Sequence, residues 1–203
     1  ENGSYANDTW IYDGATWGPA AWDITPTYPA SSQSQAIATD GTTLFLSTRR
    51  TTVSANFYSF STVGAAGPTL LGPNPNLWYV VGLAADDLYL YVASNGLSGE
   101  GVYRISRSNI AGPVVKLATI DTDTLCNNIE VDAFVSPQNL YVRDHLGDVH
   151  AVANPAAASP TYIGVVSSLG TASDYAMTFD KADGALYLFE TETDAAGRIV
   201  KIQ

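Results

Sequence analysis

The chain has 203 residues, of which 46% are apolar and 14% charged, and its formal net charge is −11. That length holds one large all-β domain or two small ones, and the apolar fraction together with 12 Tyr predicts a packed fold rather than a disordered chain. Phosphate backbones and anionic lipid surfaces repel so acidic a protein, so no nucleic acid is expected as a partner, and no apolar run is long enough for a membrane span.

Lysine occurs only at Lys116, Lys181 and Lys201, which leaves the polar surface to Ser, Thr, Asn and Gln. Such a composition is common in secreted proteins, so an extracellular or periplasmic location is expected. Glu1-Asn2-Gly3-Ser4 has neither the basic start nor the apolar stretch of a signal peptide, and could be a processed end. Asn2-Gly3-Ser4 and Asn7-Asp8-Thr9 match the glycosylation sequon. Next, Thr9-Trp10-Ile11-Tyr12-Asp13-Gly14-Ala15-Thr16-Trp17 predicts a strand, a turn and a strand, the outer half of an incomplete unit over 1–30.

From there a unit recurs. Leu44-Phe45-Leu46, Leu88-Tyr89-Leu90-Tyr91-Val92, Leu140-Tyr141-Val142 and Leu186-Tyr187-Leu188-Phe189 are copies of one short strand. Turn residues precede each copy: Asp40-Gly41, Asp86-Asp87, Pro137-Gln138-Asn139 and Asp183-Gly184. An apolar strand precedes each turn, as in Ala36-Ile37-Ala38, Val81-Gly82-Leu83-Ala84, Val131-Asp132-Ala133-Phe134 and Tyr175-Ala176-Met177-Thr178-Phe179. An alternating third strand follows: Phe57-Tyr58-Ser59-Phe60, Val102-Tyr103-Arg104-Ile105, Val149-His150-Ala151-Val152 and Ile199-Val200-Lys201-Ile202. A fourth opens at Pro68, Pro113 and Pro160, as suits an edge strand.

Four antiparallel strands in about 45 residues is the period of a β-propeller blade. The expected fold is an all-β propeller of four to five four-stranded blades, approximately 34–72, 78–118, 127–166 and 172–203, in one domain over 1–203. A β-sandwich is the alternative, since it too has regular short strands. The last repeat stops after a third strand. Either an N-terminal strand completes it and closes the ring, the preferred expectation, or upstream blades or another chain complete the propeller. Open edges would otherwise invite aggregation.

Ala36-Ile37-Ala38-Thr39-Asp40-Gly41-Thr42-Thr43-Leu44-Phe45-Leu46 resembles the blade opening of bacterial extracytoplasmic propellers of the TolB-like and YWTD-like kind, as does Leu83-Ala84-Ala85-Asp86-Asp87-Leu88-Tyr89-Leu90-Tyr91-Val92 with Gly101-Val102-Tyr103-Arg104-Ile105. The Tyr-Trp-Thr-Asp tetrad is absent from every copy. Asn7-Asp8-Thr9-Trp10-Ile11-Tyr12-Asp13 is similar to a kelch third strand without the double glycine. The resemblance implies an architecture and carries no catalytic residue with it.

Propeller ligands usually meet the loops joining strand four to the next strand one, and strand two to strand three. Here these are roughly 25–35, 73–80, 119–130 and 167–175, and 47–56, 93–100, 143–148 and 190–197. Within them Trp78, Tyr79, Arg143, His145 and Tyr175 are the candidate ligand contacts, because aromatic rings stack on sugars and on partner side chains. His145 would serve as a base if it lined a pocket, but no Gly-x-Ser-x-Gly or Ser-x-x-Lys motif accompanies it. Asn128, Glu130 and Asp174 are oxygen donors that could share one Ca²⁺ if Asn128 and Glu130 sit near Asp174 at a channel mouth. Glu190, Glu192 and Asp194 alternate along one side of an extended segment, a second acidic patch. Cys126 is the only cysteine, so an intrachain disulfide is impossible. The expectation is a non-catalytic extracellular binding module for a protein or glycan. A calcium-dependent lactonase-like hydrolase or lyase, with its site at the central channel, is the alternative.

Overall fold

The computed structural model describes residues 10–12, 16–19, 33–49, 54–61, 69–77, 79–96, 99–120, 128–132, 138–144, 146–168, 174–180, 184–191 and 198–202, and every regular element among them is a strand. An N-terminal hairpin, β1 (Trp10–Tyr12) and β2 (Trp17–Pro19), forms a sheet of its own. The first blade is β3 (Gln33–Thr39), β4 (Thr43–Arg49), β5 (Ala55–Ser61) and β6 (Thr69–Asn74). The second is β7 (Val80–Ala85), β8 (Tyr89–Gly96), β9 (Gly99–Ser106) and β10 (Val115–Ala118). The third is β11 (Asn128–Asp132), β12 (Asn139–Arg143), β13 (Asp148–Ala153) and β14 (Thr161–Ser168). The fourth is β15 (Asp174–Asp180), β16 (Ala185–Thr191) and β17 (Arg198–Ile202).

Each blade is an antiparallel meander in chain order, and β3, β7, β11 and β15 lie side by side as its inner strands. That succession excludes two stacked sheets and gives a four-bladed propeller arrangement. The hairpin does not add to β17, so the expected completion of the last blade by an N-terminal strand is absent from the described ladders.

Alternation decides which residues fill the seams between blades. The seam between the first two blades buries Phe45 and Phe57 from one side against Leu90, Val92, Tyr103 and Ile105 from the other. The next packs Tyr91, Ala93 and Val102 on Leu140, Val142 and Val152. The last packs Val149 and Tyr141 on Met177, Leu186 and Leu188. Burying each such side chain contributes about 1.5–3 kcal/mol. Polar ties cross the same seams. Asn74, fully buried, donates through Nδ2 to the carbonyls of Ile110 (2.6 Å) and Gly112 (3.1 Å). Arg104 donates to the carbonyls of Pro155 (2.5 Å) and Ala157 (2.7 Å).

The outer strands repeat a bend. Thr69-Leu70-Leu71-Gly72 and Thr161-Tyr162-Ile163-Gly164 place a glycine with φ of 122° and 114° where the ladder slips its register. Only glycine takes that φ without strain, and the bulge twists the edge.

One expected register is corrected. Leu88 does not open β8. It lies in the turn, 64% exposed, and β8 begins at Tyr89. Asp86 Oδ1 accepts the N–H groups of Leu88 (2.8 Å) and Tyr89 (2.7 Å), as Asp40 Oδ1 does those of Thr42 (2.8 Å) and Thr43 (2.7 Å). The counterpart of Leu44 is therefore Leu90.

Candidate functional site

The inner strands converge on a cavity of about 760 Å³. Its lining comes from the strand end that carries the β3–β4 and β7–β8 turns: Thr39 and Asp40, Asp86 to Leu88, Gln138 ahead of β12, and Thr178 and Phe179 of β15. Glu130 contributes from the middle of β11, opposite Tyr141. All four blades thus supply walls, and polar groups alternate with Ile37, Leu44, Leu88 and Ile129.

Its rim is fixed by charge. Arg107 pairs with Asp40 Oδ2 at 2.8 Å, lies 4.5 Å over the Phe45 ring and donates to the Asp86 carbonyl, tying two turns of adjacent blades together. Burial pushes the Asp40 carboxyl up, but the Thr43 and Thr42 hydrogen bonds and the Arg107 charge outweigh it and hold Asp40 below its ordinary range. Asp86 Oδ2 accepts the Tyr91 hydroxyl at 2.6 Å. Burial and then that carboxylate push the Tyr91 phenol upward, so Tyr91 stays a hydrogen-bond donor.

The ligand contacts expected from the sequence belong by chain position to the opposite strand end. Tyr79 is half-buried just ahead of β7, Arg143 ends β12 and is 1% exposed, and Asn128, Asp174 and Tyr175 open β11 and β15. Trp78 and His145 lie outside the described residues, as do the side chains of Asn128, Asp174 and Tyr175. Backbone pairing places Asn128 beside Arg143, and β11 packs against β15, which brings Asn128 and Asp174 to the same end of neighbouring inner strands. Among the described residues no three His, Cys, Asp or Glu side chains converge into a metal site. Glu190 lies opposite Tyr175 in the ladder, while Glu192 and Asp194 lie outside the described residues.

Sequence reasoning passed over Asp40, Asp86, Asp87 and Gln138 as turn formers. The available signal was their shared place in the repeat: turns between first and second strands all surround one end of a propeller axis.

A second polar cluster stands on the outer part of the third blade. His150 is 8% exposed, its Nε2 donates to Asp144 Oδ2 (3.0 Å), and its Nδ1 lies within hydrogen-bond distance of the Tyr162 hydroxyl (2.7 Å). Asp144 Oδ1 meanwhile accepts the Leu146 and Asp148 N–H groups (both 2.9 Å). This hydroxyl–imidazole–carboxylate chain has the order of a hydrolytic triad. Burial, Asp144 and Asp148 raise the Tyr162 phenol, so it remains protonated and a poor nucleophile. The cluster ties outer strand β14 to β13.

No family model matches the chain, and no curated protein sequence matches it. Solved structures share its fold. A gluconolactonase from Xanthomonas campestris aligns with a TM-score of 0.51 and 17% identity over 75% of this chain and 51% of its own. The periplasmic gluconolactonase of Pseudomonas aeruginosa gives 0.56 and 16% over 97% of this chain and 62% of its own. A mutant Aleuria aurantia lectin in complex with Fucα1-6GlcNAc gives 0.51 and 10% over 95% of this chain and 69% of its own. The chain therefore spans about half to two thirds of these propellers, and at such identities the likeness shows the fold alone.

Proposed function

We propose that the chain is a non-catalytic binding propeller of the cell exterior or periplasm, and that it holds a hydroxyl-rich ligand, a glycan, in the cavity between its inner strands. The observation that carries this is the mixed lining of that cavity. Asp86, Asp87, Glu130 and Gln138 offer hydrogen-bonding groups, and Leu88 and Phe179 offer apolar surface. Small-molecule sites combine these in that way, and sugars present both hydroxyls and C–H faces. The proteins of like fold are named for sugar chemistry, as gluconolactonases and as a lectin bound to Fucα1-6GlcNAc. Trp78, Tyr79, His145 and Tyr175 would form a second contact set at the other strand end, for a longer glycan or a protein partner, whereas Arg143, 1% exposed, is buried rather than in contact.

A glycan array followed by calorimetry tests this. Glu130→Gln should weaken binding of the selected glycan about tenfold, the loss of one charged hydrogen bond. If no array glycan binds at millimolar concentration, the proposal fails. Trp78→Ala should weaken only glycans long enough to reach the far end.

The alternative, a calcium-dependent lactonase, is favoured by one observation: Asn128 and Asp174 open adjacent inner strands, with Glu130 two residues along β11. These are hard oxygen donors that suit Ca²⁺. On that reading Ca²⁺ raises the melting temperature, EDTA reverses the rise, and a sugar lactone is hydrolysed in a pH-stat assay. No shift with either reagent rejects it.

A further inference from the structure

The fourth blade shows solvent a face that its counterparts bury. The second and third strands of every blade pair in one register, so positions match across blades. Phe57 opposes Ser47, Val102 opposes Ala93, Val149 opposes Arg143, and Ile199 opposes Phe189. Phe57, Val102 and Val149 are each 0% exposed, whereas Ile199 is 69% exposed. Two residues further along the third strand, Arg104 and Ala151 are buried and Lys201 is exposed. On the inner strands Ala38, Ala84 and Glu130 are buried or half-buried where Thr178 is exposed.

The residue types here are nonetheless those of a seam. The position facing the next blade holds Phe45, Tyr91, Tyr141 and Tyr187 in turn, and Ile199 follows Phe57, Val102 and Val149 as a large apolar residue. Lys201 stands at the position of Arg104, whose guanidinium reaches into the next blade for the Pro155 and Ala157 carbonyls. Lys201 instead lies 5.7 Å over its own Tyr187 ring.

We propose that this face, centred on Tyr187, Ile199 and Lys201, is the docking surface for a further propeller blade carried on polypeptide other than these 203 residues. It continues three seams of the same construction. The first blade does not fill it: β15 makes no extended contact with β3 among the described residues. Nor is the opposite face of the first blade available to it or to a second copy, since Leu46, Tyr58 and Phe60 there are already 7%, 2% and 2% exposed. The partner sheet must bring apolar residues at the places of Leu140, Val142 and Val152.

The chain itself supplies the probe. Ile202 opposes Leu186 as Ile105 opposes Leu90, so the position after Ile202 corresponds in sequence count to Ser106. Residues 107–168 appended after Gln203 therefore add, in phase, a fourth strand and one whole blade. With Cys126→Ser throughout and Ile199→Cys as reporter, maleimide labelling should be fast in the 203-residue chain. It should slow at least tenfold in the extended chain, with a higher melting temperature. A folded, monomeric extended chain that labels as fast as the parent overturns the proposal. So does labelling of the 203-residue chain that slows as its concentration rises, because the occupant would then be a second copy. A measurement without the extension also decides: Ile199→Asp should leave the melting temperature within a few degrees, while Val149→Asp abolishes cooperative unfolding, and equal damage by the two overturns the proposal.

Discussion

The turns that open the first two blades are built alike and tied down differently. In both, an aspartate Oδ1 collects two backbone N–H groups at 2.7–2.8 Å and so fixes where the second strand starts. The other carboxylate oxygen differs. In the first blade, Asp40 Oδ2 reaches across the seam to Arg107. In the second, Asp86 Oδ2 holds Tyr91 of its own blade. A repeat thus conserves the half of a side chain that shapes the local turn, and leaves the other half to long-range packing. Both turns border the same cavity, so this difference sets how rigid each part of its rim is.

Breaking the second turn should cost most. Asp86→Ala removes the acceptor for two N–H groups and leaves the hydroxyl of Tyr91, itself 0% exposed, without its carboxylate. An orphaned buried polar group costs about 1–3 kcal/mol, so a total near 3 kcal/mol is expected from urea unfolding. A loss under about 1 kcal/mol would mean that the turn forms without its aspartate. Arg107→Ala comes next. It removes a partly buried ion pair, a ring contact with Phe45 and a hydrogen bond to the Asp86 carbonyl, together about 2 kcal/mol. Tyr91→Phe should cost about 1 kcal/mol. Its effect should vanish in an Asp86→Ala background and persist in an Asp40→Asn background, which a double-mutant cycle reads directly.

Much of this was legible beforehand. Leu44, Leu140 and Leu186 mark their second strands, the four-strand period gives the propeller, and Asp-Gly and Asp-Asp announce the turns, because alternation and turn chemistry are local. The misplaced Leu88 shows the limit. Leu88-Tyr89-Leu90-Tyr91-Val92 fits a strand in two registers, and only the carboxylate hydrogen bonds of Asp86 choose between them. Nothing near Asp40 announces Arg107, 67 positions on, nor does any local pattern show that Asp86, Glu130 and Phe179 meet. The exposure of Ile199 was hidden for the opposite reason: its local pattern is that of buried positions, and what differs is the absence of a neighbouring sheet on that side among the described residues.

Asp40→Asn is the mildest of the changes and the most specific. The amide keeps an oxygen for Thr42 and Thr43 and loses only the charge facing Arg107, so at pH 7 the cost should be about 1 kcal/mol or less. Its pH dependence separates charge from shape. The folded-state value of Asp40 lies below its ordinary 3.8, so the carboxylate binds its proton more weakly in the folded chain than in the unfolded one. Its contribution is therefore complete above pH 3.8, shrinks as the unfolded chain takes up the proton, and is gone once the pH has fallen through the lowered value. Wild-type and Asp40→Asn stabilities should differ at pH 7 and converge on acidification through that window. Parallel curves would show that Arg107 gains nothing from the Asp40 charge and that the tie between these two turns is one of packing against Phe45.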